Sequence, residues 1–476
     1  MPMSAAVGSE RTSSQSPSAA ASCELGPSLE EDEDNLERFR TKFLKHFPFV
    51  WISPSTTSQQ LRHHRPYFWL CIMSIMTRSS SRQLDLDTRI RNILAQKITL
   101  ELERSIDLLL AALTYCAWGR CQRMIHNEMQ TKPYMHVYTQ LAVTVIYGLG
   151  LNRHPPKESH AFHGCNPTPH LFPKATPSSA RTMEERRAVL GCFLLTSNVA
   201  SYLQKIDALR WTSHMDESLR ILAEKQECPT DIVLVQQVRL QLISEKVAQG
   251  PWQYGAAENT NSHEPPPAFY LQALQSQVME AVQKAPPELQ HNEVVLLQQH
   301  YTELTIQEIS LTRAPIMSST TNFQRLESLY SCLSSAKAYT DIFCNIPPAE
   351  FFGMPFSTFS QFGHCLIALY KLSTLEDPAW DKAMVRNTAD VLLIIDRVVQ
   401  IMGHVVEFVA GPEQEDRTFI KGAALMRSLR QKWAENLSTV SGESDASLNR
   451  QDPEDILSAF PLEWPDDAWL NDIFMC

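Results

Sequence analysis

Histidine and cysteine residues form one cluster in this sequence with the spacing of metal ligands. His160, His163, Cys165 and His170 lie within eleven residues, and zinc prefers imidazole and thiolate ligands. Two prolines separate the last two candidates and stiffen the segment, which favours a histidine-rich polar loop over a zinc site. We therefore predict no metal ion and no other cofactor, while stoichiometric zinc would reverse that prediction.

Acidic residues do not form a catalytic pattern. A helical enzyme of the terpene cyclase type would hold magnesium through several carboxylates on one helix beside an apolar cavity. The acidic runs are Glu30–Asp34 and Asp466-Asp467, both in segments that we expect to be disordered. Gly148-Leu149-Gly150 lacks the third glycine of a dinucleotide motif, and no metalloprotease, serine hydrolase or phosphate-loop motif occurs. We predict no catalytic residue and no enzymatic activity.

Basic residues are too dispersed for a nucleic-acid site of ordinary strength, because such affinity comes mainly from neutralised phosphates. The densest group is Arg181, Arg186 and Arg187, which covers about one helical turn. His63-His64 could bind phosphate, but a solvated helix turn is the favoured interpretation. The sequence predicts no direct, sequence-specific DNA binding, and it shows no compact Lys/Arg run typical of nuclear import signals.

Cysteines favour a reducing compartment. The chain has 11, an odd number, and most fall within apolar helical patterns, which is typical of core thiols rather than disulfides. Cys116 and Cys121 share such a pattern at a spacing that places them on different helix faces, so packing is favoured over metal binding.

Helices must position all of these residues. Only 15 residues are glycine, and three- and four-residue periodicity of apolar positions recurs along the chain, which indicates an all-α fold. Thr182 and Glu185 have the spacing of a capping box, which predicts a helix start. The remaining periodic segments predict helices from residue 36 to 48 and at 65–79, 84–103, 104–119, 134–150, 214–227, 229–249, 268–284, 288–312, 321–345, 357–375, 380–410 and 417–437.

Charge divides the chain into a body and two acidic tails. Residues 1–35 carry a net charge of −6 and residues 441–476 carry −8, which leaves +3 for residues 36–440 of the total of −11. We predict a disordered acidic N-terminal tail, a large multi-helix domain over 36–440 and an acidic C-terminal tail. Neither a secretory signal nor an apolar run of about 18 residues occurs, so no membrane segment is expected.

Five strings, in order, resemble the middle homology region of fungal binuclear zinc-cluster transcription factors. Single strings are mostly apolar helix, but their order, with the last after a Pro-rich loop, makes the likeness fairly specific. They are HFPFVWI (46–52), RPYFWLCIM (65–73), ERSIDLLLAALTYCAW (103–118), QLAVTVIYGLGLNR (140–153) and RTMEERRAVLGCFLLTSNVASYLQKIDALRWT (181–212).

The resemblance implies an all-helical regulatory domain that contacts partner proteins and lies in the nucleus. Members of the family begin with six closely spaced cysteines that bind two zinc ions, whereas only Cys23 precedes Cys71 here. The sequence therefore predicts a regulator without its own zinc cluster, either lost or truncated from the gene. Aromatic residues of the matching strings are expected in the core: Phe47, Phe49, Trp51, Phe68, Trp69, Trp118 and Tyr147.

The C-terminal tail has the composition of an activation segment. Acidic residues keep aromatic side chains solvated until a coactivator groove accepts them as a short induced helix. The alternative is a segment that docks on its own domain. The predicted partner-binding anchors are Trp464, Trp469, Leu470, Ile473 and Phe474.

Together these patterns predict a transcription regulator that acts through a coactivator or a DNA-binding partner protein. Analogy with the family indicates control of a metabolic or secondary-metabolite gene set. Two alternatives stay open at this point, a helical scaffold outside transcription and an all-α enzyme.

Overall fold

The structure is a computed structural model that describes residues 29–77, 79–119, 135–155, 180–203, 206–248, 268–308, 311, 319–409 and 417–442. Every regular element in these ranges is helical, which confirms the predicted all-α fold. The α-helices are α1 (Leu29–Arg38), α2 (Ser58–His64), α3 (Pro66–Met76), α4 (Ser80–Ala95), α5 (Ile106–Trp118), α6 (Met135–Leu149), α7 (Met183–Leu203), α8 (Ser213–Lys225), α9 (Asp231–Ala248), α10 (Ala268–Gln283), α11 (Glu293–Gln307), α12 (Ser319–Asn345), α13 (Pro348–Phe351), α14 (Phe356–Thr374), α15 (Lys382–Thr388), α16 (Val391–Val409) and α17 (Arg417–Gly442).

The first core is built on aromatic rings from the N-terminal third of the chain. Phe39, Phe43, Phe49 and Phe68 are fully buried, and the first three pack within about 6 Å of the Trp118 ring. Phe39 and Phe43 lie on a π-helical turn, Phe39–Phe43, that directly continues α1. Edge-on ring packing of this kind adds to the free energy of apolar burial. This core extends through α3, α5, α6 and α7 to α9.

The second core lies among α11, α12, α14, α16 and α17. The rings of Phe343 and Phe362 stack at 4.1 Å, and those of Tyr370 and Trp433 at 4.5 Å. One apolar stripe of α16 is buried, at Val391, Ile395, Val398, Met402 and Val405.

A short turn of the second half of the chain, residues 348–355, packs against the first core. The Trp118 indole donates to the carbonyl of Gly353 at 3.0 Å, and the Phe43 and Phe352 rings meet edge-on at 5.4 Å. Lys42 and Lys45 both form ion pairs with Glu350. We call residues 348–355 the bridging turn, because they are one of the places where the two cores meet.

The body begins earlier than predicted. Residues 29–35, assigned from composition to the disordered tail, belong to α1. Asp32 is buried and pairs with Arg62 at 2.8 Å, while a carboxylate oxygen of Glu33 accepts from the amide and hydroxyl of Ser58 at 2.8 and 2.7 Å. Tertiary hydrogen bonds thus order an acidic run that composition alone assigns to a tail.

Two predicted core aromatics are exposed. Trp51 is 41% exposed and Tyr147 is 48% exposed, whereas Phe47, Phe49, Phe68 and Trp69 are buried and Trp118 is half-buried. The predicted helix over 380–410 is also divided, because the chain turns at Ala389 and Asp390 caps α16 by accepting from the amide of Leu392 at 2.9 Å.

Candidate functional site

A chain of buried glutamines joins the two halves of the body. Gln241 on α9 donates to the Ser197 hydroxyl at 2.6 Å, Gln298 on α11 donates to Gln241 at 3.0 Å, and Gln361 on α14 donates to Gln298 at 3.4 Å. All three side chains are buried. Buried amides are stable only when such partners are present, so this chain fixes how α7, α9, α11 and α14 pack.

A small cavity adjoins the glutamine chain. Its lining includes His46, Asn198, Gln237 and Gln361, and its volume is about 20 Å³. That space suits roughly one water molecule, and is far below the size of a metabolite pocket. Burial lowers the pKa of His46 to about 3, so its imidazole is neutral. The cavity is therefore too small for a metabolite.

Tyr301, His364 and Glu308 have the order of an acid–base relay. The Tyr301 hydroxyl lies 3.0 Å from Nδ1 of His364, and Nε2 of that ring lies 2.7 Å from a Glu308 oxygen. Burial alone would raise the pKa of Glu308, but His364 and Lys371 outweigh it and lower that pKa to about 2. Burial raises the pKa of Tyr301. Both values move away from neutrality, which is unsuited to proton transfer at neutral pH.

Arg187 is the most highly connected basic residue of α7. The residue is 2% exposed, and its guanidinium donates to both oxygens of Asp231 on α9, at 2.6 and 3.0 Å, and to Glu227 at 2.7 Å. It also lies 5.9 Å from the centre of the Trp51 ring. Arg186 is buried as well and donates to Ser218 at 3.1 Å. Arg186 and Arg187 of the basic group noted in the sequence are thus buried packing elements, and Arg187 is a partner of nearby acidic residues.

Two imidazoles and a carboxylate converge where the turn after α6 meets the first turn of α8. Nδ1 of His154 and Nδ1 of His214 lie 3.2 and 3.1 Å from the same oxygen, Oε2 of Glu217. The two rings meet at 4.7 Å between centroids. Burial lowers the pKa of His214, which favours a neutral imidazole. Sequence analysis missed this group because sixty residues separate the two histidines.

The residues singled out from the sequence have varied positions. Cys116 is a buried core thiol, and His63 and His64 are exposed in the last turn of α2. Other predicted site residues lie outside the described residues: His160, His163, Cys165, His170, Trp464, Trp469, Leu470, Ile473 and Phe474.

Comparison with known proteins adds the following findings. A family model described as the WAR1 C-terminal domain matches residues 25–362, and a second model, described as a C-terminal domain, matches residues 348–475. The chain is 36% identical over 408 residues to the protein "Transcription factor opdL" of Penicillium oxalicum, a match that covers 85% of this chain and 71% of that protein. It is 28% identical over 387 residues to a protein named "Transcription factor" from Aspergillus terreus, a match that covers 79% of this chain and 56% of that protein.

A third relative, "Transcription factor himD" of Aspergillus japonicus, is 22% identical over 324 residues, which cover 66% of this chain and 50% of that protein. The chain thus spans about half the length of these last two relatives. No solved structure matches it. Among the described helices, none combines the length and the apolar character that crossing a membrane requires.

Proposed function

Because the chain belongs to the fungal transcription factors that share the WAR1 C-terminal domain, we propose that it regulates transcription in the nucleus by binding protein partners. The observation that carries this proposal is the 36% identity to a transcription factor over 85% of the chain. The similar proteins are named as transcription factors and not as enzymes, in agreement with the predicted absence of catalysis.

The C-terminal tail is the proposed partner-binding segment. Residues 441–476 carry a net charge of −8, yet the last fifteen positions are dense in large apolar residues, which a purely solubilising tail does not need. A coactivator groove would take Trp469, Leu470, Ile473 and Phe474 as anchors of an induced helix, with Trp464 beside them. A DNA-binding partner protein would bring the regulator to its target genes.

A tethering assay tests the tail. Residues 441–476, fused to an unrelated DNA-binding domain, should activate a reporter, and the triple change Trp469→Ala, Leu470→Ala and Phe474→Ala should abolish activation. Large apolar anchors often contribute about 2 kcal/mol or more each, so losing three leaves little binding.

The matched control removes the same number of apolar side chains from the same tail, at Leu448, Ile456 and Leu457, and should keep most of the activity. A fusion that does not activate, or two triple variants that activate equally, would favour a tail that docks on its own domain.

The target genes form the second part of the proposal. Analogy with the family supports control of a metabolic or secondary-metabolite gene cluster. Transcript profiles of a deletion strain should show coordinated change in one contiguous cluster, and a tagged chain should accumulate in the nucleus. Scattered changes without a cluster would contradict this part.

A further inference from the structure

We propose that His154, His214 and Glu217 form a binding site for a divalent transition metal ion, with zinc as the probe. We call these three residues the α6–α8 cluster. Their chemistry is a two-histidine, one-carboxylate set, which suits zinc and similar ions and leaves a coordination position for water. This inference replaces the prediction from the sequence that the chain holds no metal ion. It is independent of the tail and of the reporter activity proposed above.

The distances fit a metal ion. One potential ligand atom from each residue lies within 4.8 Å of the other two, and both Nδ1 atoms lie 3.1–3.2 Å from one carboxylate oxygen. Zinc bonds to nitrogen and oxygen are about 2.0–2.2 Å long, so ligand atoms of a tetrahedral site lie roughly 3.3–3.5 Å apart. Both nitrogen–oxygen distances are therefore within a few tenths of an ångström of those around a bound ion.

The backbone around the α6–α8 cluster is already held in place. The Thr212 hydroxyl, just before α8, donates to the carbonyl of Asn152 at 2.8 Å. Arg181 donates to the carbonyl of Gly150 at 2.6 Å, so the turn that carries His154 is fixed from two sides. Little conformational entropy is then lost when a metal ion binds.

One histidine of the α6–α8 cluster is buried, and the other is exposed to solvent. His214 is 2% exposed, and its Nδ1 is held against Glu217 one turn along α8. The His154 side chain is 62% exposed, which provides an entry path. His154 can therefore be replaced with little effect on the core, whereas replacing His214 would also disturb packing.

The chain supplies a matched control. His300 and Glu303 on α11 have the same His-x-x-Glu spacing, with Nδ1 to Oε2 at 2.9 Å, as His214 and Glu217 have at 3.1 Å. No third imidazole or thiolate completes that pair among the described residues. Two donors bind metal weakly, so the α11 pair should not hold a stoichiometric ion.

The experiment titrates the metal-free full chain with zinc against a chromophoric chelator, and records the visible absorption of the cobalt-loaded protein. The parent should bind one equivalent at the α6–α8 cluster. His154→Ala and Glu217→Gln should each weaken that affinity at least ten-fold and reduce the cobalt absorption, whereas His300→Ala should change neither. Circular dichroism confirms that each variant is folded.

A fourth variant separates this site from the histidine-rich segment, with His160, His163 and His170 changed to Ala and Cys165 changed to Ser. If this variant still binds one equivalent of zinc and His154→Ala does not, the zinc site lies at the α6–α8 cluster. The proposal is overturned if the parent binds no zinc, if His154→Ala binds as the parent does, or if only the segment variant loses the ion.

Discussion

Removing the charge of Arg187 should destabilise the body by about 3–5 kcal/mol, because the carboxylate of Asp231 would remain buried without its countercharge. The structure supports a value in this range, since Asp231 is fully buried and receives two guanidinium hydrogen bonds, at 2.6 and 3.0 Å. Arg187→Met keeps most of the side-chain volume, so the loss reports the charge rather than a cavity.

A double-mutant cycle separates the pair from other roles of Asp231, which also accepts from the amide of Cys228 at 3.1 Å before α9. Arg187→Met and Asp231→Asn together should cost about 1–3 kcal/mol less than the sum of the single changes. Arg220 and Glu224 are the control, an ion pair at 2.8 Å whose side chains are about 60% exposed. Arg220→Ala should cost about 0.3–0.5 kcal/mol.

Urea denaturation followed by circular dichroism and tryptophan fluorescence measures these changes, with Trp51 beside the guanidinium as a local reporter. The reasoning would be refuted if Arg187→Met cost no more than Arg220→Ala. It would also be refuted if the free energy of unfolding lost in the double variant equalled the sum of the losses in the two single variants.

Three further predictions concern packing, pH and DNA. Gly353→Ala should lower the melting temperature, because a Cβ there would overlap the carbonyl of Lys42, whereas Gly403→Ala, with nothing within 4 Å, should stabilise α16 by about 0.5–1 kcal/mol. His46 has a pKa of about 3 in the fold and an ordinary value of 6.5, so the unfolded chain takes up its proton first. The contribution of His46 to stability is therefore fully present above pH 6.5 and is lost as the pH falls towards 3. Between pH 6.5 and 4.5, the urea midpoint of His46→Gln should fall less than that of the parent. The fold lowers the pKa of Glu308 from 4.5 to about 2, so both proteins should still lose stability below pH 4.5. The purified chain should give no specific footprint in a DNA selection assay at physiological salt, because two of the three arginines in the densest basic group, Arg186 and Arg187, are buried rather than available to phosphates.

Helix periodicity and local capping were predictable from the sequence. Thr182 and Glu185 form both hydrogen bonds of the capping box, at 2.8 and 3.1 Å, because a capping box needs only residues three apart. The buried stripe of α16 likewise follows from spacing along one helix.

Tertiary pairing was not predictable. Arg187 finds Asp231 across 44 residues, and the acidic run in α1 is ordered by Arg62 and Ser58. The α6–α8 cluster arises in the same way, since no local pattern relates His154 to His214. The anchors of the C-terminal tail stay a prediction.

The bridging turn has a consequence for synthesis on the ribosome. Lys42 and Glu350 are 308 residues apart, and Trp118 and Gly353 are 235 apart. At roughly 5–20 residues per second, about 15–60 s pass between translation of Lys42 and translation of Glu350. During this interval Phe43 and Trp118 lack part of their packing partners, so the nascent chain exposes aromatic surface. We expect nascent chains stalled before residue 348 to bind chaperones more strongly than chains extended through the second core.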